Sequence, residues 1–195
     1  TEAVGSPLTR ANTQFGDLQG VGGDYFSTPN VVTTWPELDI RVRATRSTTS
    51  NNVFIFTKGA GATRDFELYV TPTGALNIQY WDSFGSIRGT STTSLIPFAV
   101  GELGWCRVTF DTATGDINLY TADGNLEAPA ISDYTQLGAT QNPAGGATSL
   151  RNTTLAGYAV GAIPAFPTYP FDGDIYRAQV YNEIDGTTPV VDFTP

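Results

Sequence analysis

The residues with the most chemical promise in this chain are carboxylates at alternate positions. Glu37-Leu38-Asp39-Ile40-Arg41 sets two acids two residues apart, and in an extended strand that spacing puts both on one face. Two carboxylates sharing a face can serve as nucleophile and acid/base in hydrolysis of a glycosidic bond. The next residue on that face is Arg41. A guanidinium keeps its proton at neutral pH and cannot give it to a leaving group. The string is therefore expected to be the solvent-facing edge of a strand, and no catalytic residue is assigned. Composition closes further routes. The 195 residues contain no His and a single Cys, Cys106. That excludes Ser-His-Asp and Cys-His sites, imidazole metal ligands, thiolate zinc clusters and an intrachain disulfide. Ten basic against 19 acidic residues give a net charge of -9, which opposes nucleic-acid binding, since phosphates need a basic face.

A second grouping is a face. With Leu76, Ile78 and Tyr80 pointing into a core, Asn77, Gln79 and Trp81 point out together. A simple hairpin at Thr71–Gly74 adds Glu67 and Tyr69 to that side, and the strand Leu38–Ala44 is expected to contribute Arg41 and Arg43. Aromatic rings beside amides and guanidinium groups suit sugars, the ring covering the apolar C–H face while planar polar groups take the hydroxyls. Arg43, Tyr69, Asn77, Gln79 and Trp81 are the ligand-binding candidates. The same face also suits a protein interface, or a structural face lying under a loop from Gln136 to Pro170.

Strands must position these groups. Period-two alternation runs through Leu38–Ala44, Phe66–Val70, Leu76–Trp81 and Cys106–Phe110, then Ile117 and Leu119, and finally Tyr176, Ala178 and Val180. Turn chemistry bounds these runs at Thr71-Pro72-Thr73-Gly74, at Asp111–Gly115 with Gly115 suited to a left-handed position, and at Thr121-Ala122-Asp123-Gly124. A surplus of 29 Thr and 21 Gly fits a chain of many strands and turns. The fold class is all-β, an antiparallel sandwich of two sheets. Residues 1–22 read as an N-terminal arm or covering segment, and residues 23–195 as the sandwich domain. A strand is expected near Thr154–Val160, and Cys106 should be an inert core thiol. No apolar run nears the ~20 residues of a membrane helix, and no signal segment opens the chain. With no Met, the initiator is expected to have been removed or the chain cut from a longer precursor. Asn152-Thr153-Thr154 is a formal glycosylation sequon. Charge is uneven: residues 1–98 carry seven basic and eight acidic groups, residues 99–195 three and eleven. A cation site or acidic contact face belongs in the second half.

The order of pieces resembles a known superfamily. Gly23–Pro29 opens it, followed by Leu38–Arg43, Phe66–Val70 and Gly74–Ile78. Trp105-Cys106-Arg107-Val108-Thr109-Phe110-Asp111 then leads into Gly115–Tyr120, and Phe171–Asn182 closes the pattern. From about Gly20 to Pro195 this is similar to the concanavalin A-like lectin/glucanase superfamily, in its laminin-G-like branch, which implies a jelly-roll sandwich. Retaining glucanases of that superfamily carry Glu-x-Asp-x-x-Glu or Glu-x-Asp-x-Glu on one strand, a motif that Arg41 and Val42 break here. Several laminin-G-like modules bind Ca²⁺ at the rim, which makes Asp82, Asp123, Asp172 and Asp174 the possible ligands and Ca²⁺ the one cofactor the resemblance admits. Asp172-Gly173-Asp174 also reads as the cap of a turn.

The closing residues, Asp174–Val180, Ile184–Thr187 and Val191-Asp192-Phe193-Thr194-Pro195, also resemble the ends of modules in tailed-bacteriophage virion proteins. The expectation from both resemblances is a non-catalytic virion structural or adhesion protein, a capsid-decoration or tail-associated subunit at the virion surface. Its partners would be other virion proteins or further copies of itself, with host-surface glycans as ligands. The alternative is a secreted or cell-surface carbohydrate-binding module. Neither involves nucleic acid or membrane insertion, and a glycoside hydrolase is the remote third reading.

Overall fold

Alternating apolar residues leave every strand with one side that water disfavours, and two sheets stacked on those sides bury them together. The computed structural model describes residues 9–10, 17–19, 26–28, 34–45, 53–59, 64–153, 157–161 and 172–194, and it adopts this arrangement. The first sheet runs β1 (Thr9–Arg10), β3 (Phe26–Thr28), β12 (Tyr158–Val160), β5 (Val53–Lys58), β6 (Phe66–Val70), β7 (Ala75–Trp81), β8 (Ile87–Leu95). The second runs β11 (Thr135–Gln136), β10 (Asp116–Asp123), β9 (Gly104–Asp111), β4 (Glu37–Ala44), β13 (Asp172–Tyr181), β14 (Val191–Phe193). Strand β2 (Asp17–Gln19) pairs with the first residues of β13. Each of these pairings is antiparallel. The chain is the all-β, two-sheet jelly-roll sandwich that the alternation and the resemblance imply.

The core lies between the sheets. Phe66, Leu68, Leu76, Ile78 and Tyr80 enter it from one side, and Leu38, Ile40, Val108, Phe110 and Val180 from the other. Rings couple the layers: Tyr80 meets Phe110 with centroids 4.6 Å apart, and Phe56 meets Phe193 edge-on at 5.8 Å. Each such side chain contributes about 1.5–3 kcal/mol by leaving water. Cys106 is buried among them. The hairpin at Thr71–Gly74 closes as expected, Gly74 N–H donating to Thr71 O at 2.9 Å. Gly115, at φ +81°, takes the left-handed position at the end of the Asp111 turn.

Four local expectations change. Thr121-Ala122-Asp123-Gly124 is not a turn, because β10 continues to Asp123 and the reversal follows it; Asp123 Oδ1 accepts the Asn125 N–H at 2.9 Å and fixes the bend there. Asp172-Gly173-Asp174 is strand and not a turn cap, since β2 pairs with it residue for residue. Tyr176 is not on the core side. A register shift between Ile175 and Arg177 pushes it out, and Ile175 faces inward in its place. The string Glu37–Arg41 is not an edge: β4 sits between β9 and β13 in the middle of its sheet, with Asp39 0% exposed.

Candidate functional site

Asp39 explains why the catalytic-looking string is a latch. Its Oδ1 accepts Arg107 Nε at 2.9 Å and Arg41 Nε at 3.3 Å; its Oδ2 accepts Arg107 Nη2 at 2.8 Å and Arg41 Nη2 at 2.7 Å. The Asp185 N–H adds a fifth bond to Oδ2 at 3.2 Å. Glu37 Oε2 accepts the Ile184 N–H at 2.7 Å, and Gly186 O accepts Arg41 Nη2 at 3.1 Å. The turn after β13 is thereby pinned over the outside of the second sheet, with Asp185 held at φ +60° and its carboxylate on Arg107. Tyr181 lies 4.0 Å beneath Arg41, while Tyr120 and Tyr134 flank Arg107 at 5.1 and 5.3 Å. Burial alone would drive Arg107 toward its neutral form, but Asp39 and Asp185 outweigh it and hold its pKa above the usual arginine value. Burial likewise pushes the Tyr134 and Tyr181 phenols up. A carboxylate saturated by two guanidinium groups has no lone pair left for an acid, base or nucleophile role.

The face anticipated for ligands is divided and partly closed. Tyr69 pairs with Asn77, and Glu67 with Gln79, so these four do share the outer side of the first sheet with Trp81. However, Asn77 is 4% exposed and Trp81 7%, while Tyr69 and Gln79 are half-buried. Asn77 Nδ2 donates to Ala75 O at 2.9 Å, and Arg64 and Arg151 bracket the Trp81 ring at 4.9 and 5.9 Å. Beside them Asp65 receives Lys58, the Thr153 N–H at 2.8 Å and Arg151 Nε at 3.3 Å. Asn152 of the sequon accepts Lys58 Nζ at 2.6 Å in the same knot. Arg43 is elsewhere: it belongs to β4 in the second sheet, on the opposite outer face. Alternation predicts which side of a strand a residue takes, but not which sheet receives the strand. Residues 162–170, part of the loop expected to cover this face, lie outside the described residues.

Arg43 instead braces an open groove of about 770 Å³ at the end of β10. Its Nε donates to Gly124 O at 2.9 Å, and Trp105 Nε1 donates to Leu126 O at 2.8 Å, tying the turn after β10 to the outside of the sheet. One wall is that turn, Asp123–Asn125; another is the segment Asp133–Leu137, which folds back so that β11 pairs with Tyr120 and Thr121. Pro97, Phe98 and Leu103 supply its apolar lining. Gly104 leaves room for Phe98, since a Cβ there would stand 2.3 Å from its ring. Glu102, Asp123 and Asp133 supply carboxylates, Asn125 and Gln136 amides, Thr121 and Thr135 hydroxyls. Polar and apolar side chains together are the lining chemistry that small-ligand sites use. Sequence reasoning singled out only Asp123 here, although the acidic excess after residue 99 pointed to this half.

Three of the four aspartates considered for calcium are engaged in separate places. Asp82 Oδ1 takes the Phe84 and Ser86 N–H groups at 3.0 and 2.8 Å, Asp123 caps its own turn, and Asp174 is bonded to Thr45. The Asp172 side chain lies outside the described residues. Among the described residues no three carboxylates gather as metal ligands.

No protein-family model and no curated protein matches the sequence, whereas solved structures do match the fold. The carbohydrate-binding module CBM40 of the Ruminococcus gnavus IT-sialidase, solved with α2,3-sialyllactose, aligns at TM-score 0.63 and 15% identity over 91% of both chains. Mouse laminin α1 domains LG4-5 align at TM-score 0.60 and 13% identity, over 92% of this chain and 45% of that one. Tailspike protein 2 of the Escherichia coli O157:H7 bacteriophage CAB120 aligns at TM-score 0.52 and 10% identity, over 85% of this chain and 22% of the tailspike. The chain has the concanavalin A-like, laminin-G-like fold.

Proposed function

We propose that this chain is a non-catalytic adhesion module of a virion that binds glycans through the groove at the end of β10. The observation that carries the glycan reading is the groove itself, whose lining combines hydroxyls, amides and carboxylates with Phe98 and Leu103. Sugars present this pairing of hydroxyl edges and apolar ring faces. The non-catalytic reading rests on Asp39, both of whose oxygens are taken up by Arg41 and Arg107, and on Glu37, whose Oε2 holds the Ile184 N–H. The virion reading rests on the closing residues Asp174–Val180 and Val191–Pro195, and on the likeness in fold to a phage tailspike. A secreted or cell-surface module would use the same groove.

A glycan array probed with the labelled full chain, with and without EDTA, tests the binding. At least one oligosaccharide should be retained in both buffers, and Asp133→Ala should weaken it about fivefold or more by removing a charged acceptor. Absence of any retained glycan would contradict the proposal. Mass spectrometry of isolated particles tests the setting: a fixed copy number of this chain is expected.

A different observation favours an assembly role alongside adhesion. The β7–β8 hairpin carries Phe84 at 91% exposure, with Ile87 also exposed, on an edge strand of the first sheet. Unpaired strand edges with apolar neighbours are contact surfaces for further copies or neighbouring subunits. Sedimentation of the purified chain should show a discrete oligomer that Phe84→Ser disperses.

A further inference from the structure

The chemistry of the groove also constrains what kind of glycan it accepts; this rests on the carbohydrate reading above. Each carboxylate there spends one oxygen on its own loop. Glu102 Oε2 accepts the Ala99 N–H at 2.7 Å, Asp133 Oδ2 accepts the Ala130 N–H at 2.7 Å, and Asp123 Oδ1 accepts the Asn125 N–H and Nδ2 at 2.9 Å. Glu102 Oε1, Asp133 Oδ1 and Asp123 Oδ2 have no partner among the described residues. The amides follow the same logic. Gln136 gives Nε2 to Asn118 at 3.0 Å, and Asn125 gives Nδ2 to Asp123, which leaves their carbonyl oxygens over. The free polar atoms are thus mostly acceptors. Among the described residues, no Lys or Arg lines the groove. Thr121 lines the groove at 5% exposure and adds a hydroxyl to it.

We infer that the groove selects glycans without an anionic group, neutral sugars and sugars bearing a free amine. Hydroxyl and ammonium hydrogens satisfy the surplus acceptors, whereas a sialic acid, uronate, sulfate or phosphate brings more acceptors and a like charge. The CBM40 of similar fold was solved with a sialylated ligand; ligand class resides in the site and not in the sandwich.

Matched pairs on the array and in titration calorimetry supply the test: neutral oligosaccharides against their sialylated and sulfated forms, and a free-amine chitooligosaccharide against its N-acetylated form. For the neutral glycans retained, addition of the anionic group should weaken binding about tenfold or more, and the gap should narrow as salt rises. The double variant Glu102→Gln, Asp133→Asn keeps an acceptor oxygen at each site but removes two charges. It should bring the paired affinities within about twofold of one another. Equal or tighter binding of the anionic member to the native chain overturns this inference and leaves the carbohydrate reading standing. Failure of every member to bind overturns both.

Discussion

Two acidic regions of the second sheet differ in a way that separates structure from function. At the latch, both oxygens of Asp39 are filled, five bonds converging from Arg41, Arg107 and the Asp185 backbone. At the groove, Glu102, Asp123 and Asp133 each have one oxygen held by a loop and one left over. A buried carboxylate with every lone pair engaged holds a fold together, and taking away one partner leaves the others uncompensated. A carboxylate half engaged is positioned and still has capacity to bind. Acidity alone is uninformative; the count of unused oxygens distinguishes the two.

The largest effect should come from the latch. Asp39→Asn strips the counter-charge from Arg107, which is almost fully buried, and should lower unfolding free energy by about 3–5 kcal/mol in urea titrations. A change under about 1 kcal/mol would show that the latch is not structural. Trp81→Ala follows. The indole is buried beneath the guanidinium groups of Arg64 and Arg151, so truncation should destabilise by about 3 kcal/mol, with glycan affinity of the folded fraction unchanged. Lost affinity in a folded Trp81→Ala would return the ligand site to the first sheet. Thr121→Val reverses the pattern seen at Asp39: stability should change by less than about 1 kcal/mol, since Val keeps the shape of the side chain, while glycan affinity falls.

The smallest effect concerns Glu67, whose pKa burial raises against the opposing pull of Arg64. With the folded value above the unfolded one, the folded state holds this proton more tightly. Its stabilising contribution is complete below the unfolded value of about 4.3 and is lost as pH rises through the raised folded value. Glu67→Gln should flatten the pH dependence of Tm in that window; an unchanged slope would contradict the assignment.

The strands were legible because alternation is local. Leu76, Ile78 and Tyr80 could be assigned to the core, and Cys106 with Val108 and Phe110, without knowing any partner strand. What the sequence hid depends on which strands become neighbours. Asp39 looks like an edge residue until β9 and β13 flank it, and Arg43 looks like a companion of Trp81 until β4 joins the other sheet. The groove was hidden more deeply, because its walls meet only when Thr135 and Gln136 fold back onto β10 from beyond a turn. Composition carried the one usable hint, the acidic excess after residue 99.

The most direct measurement is a backbone NMR titration of the chain with the oligosaccharide retained most strongly on the array. Shift changes should concentrate at Thr121–Asn125, Asp133–Leu137 and Glu102, and leave Tyr69, Asn77, Gln79 and Trp81 in place. Changes centred on Tyr69–Trp81, with Thr121 and Asp133 unmoved, would contradict the assignment of the groove as the ligand site.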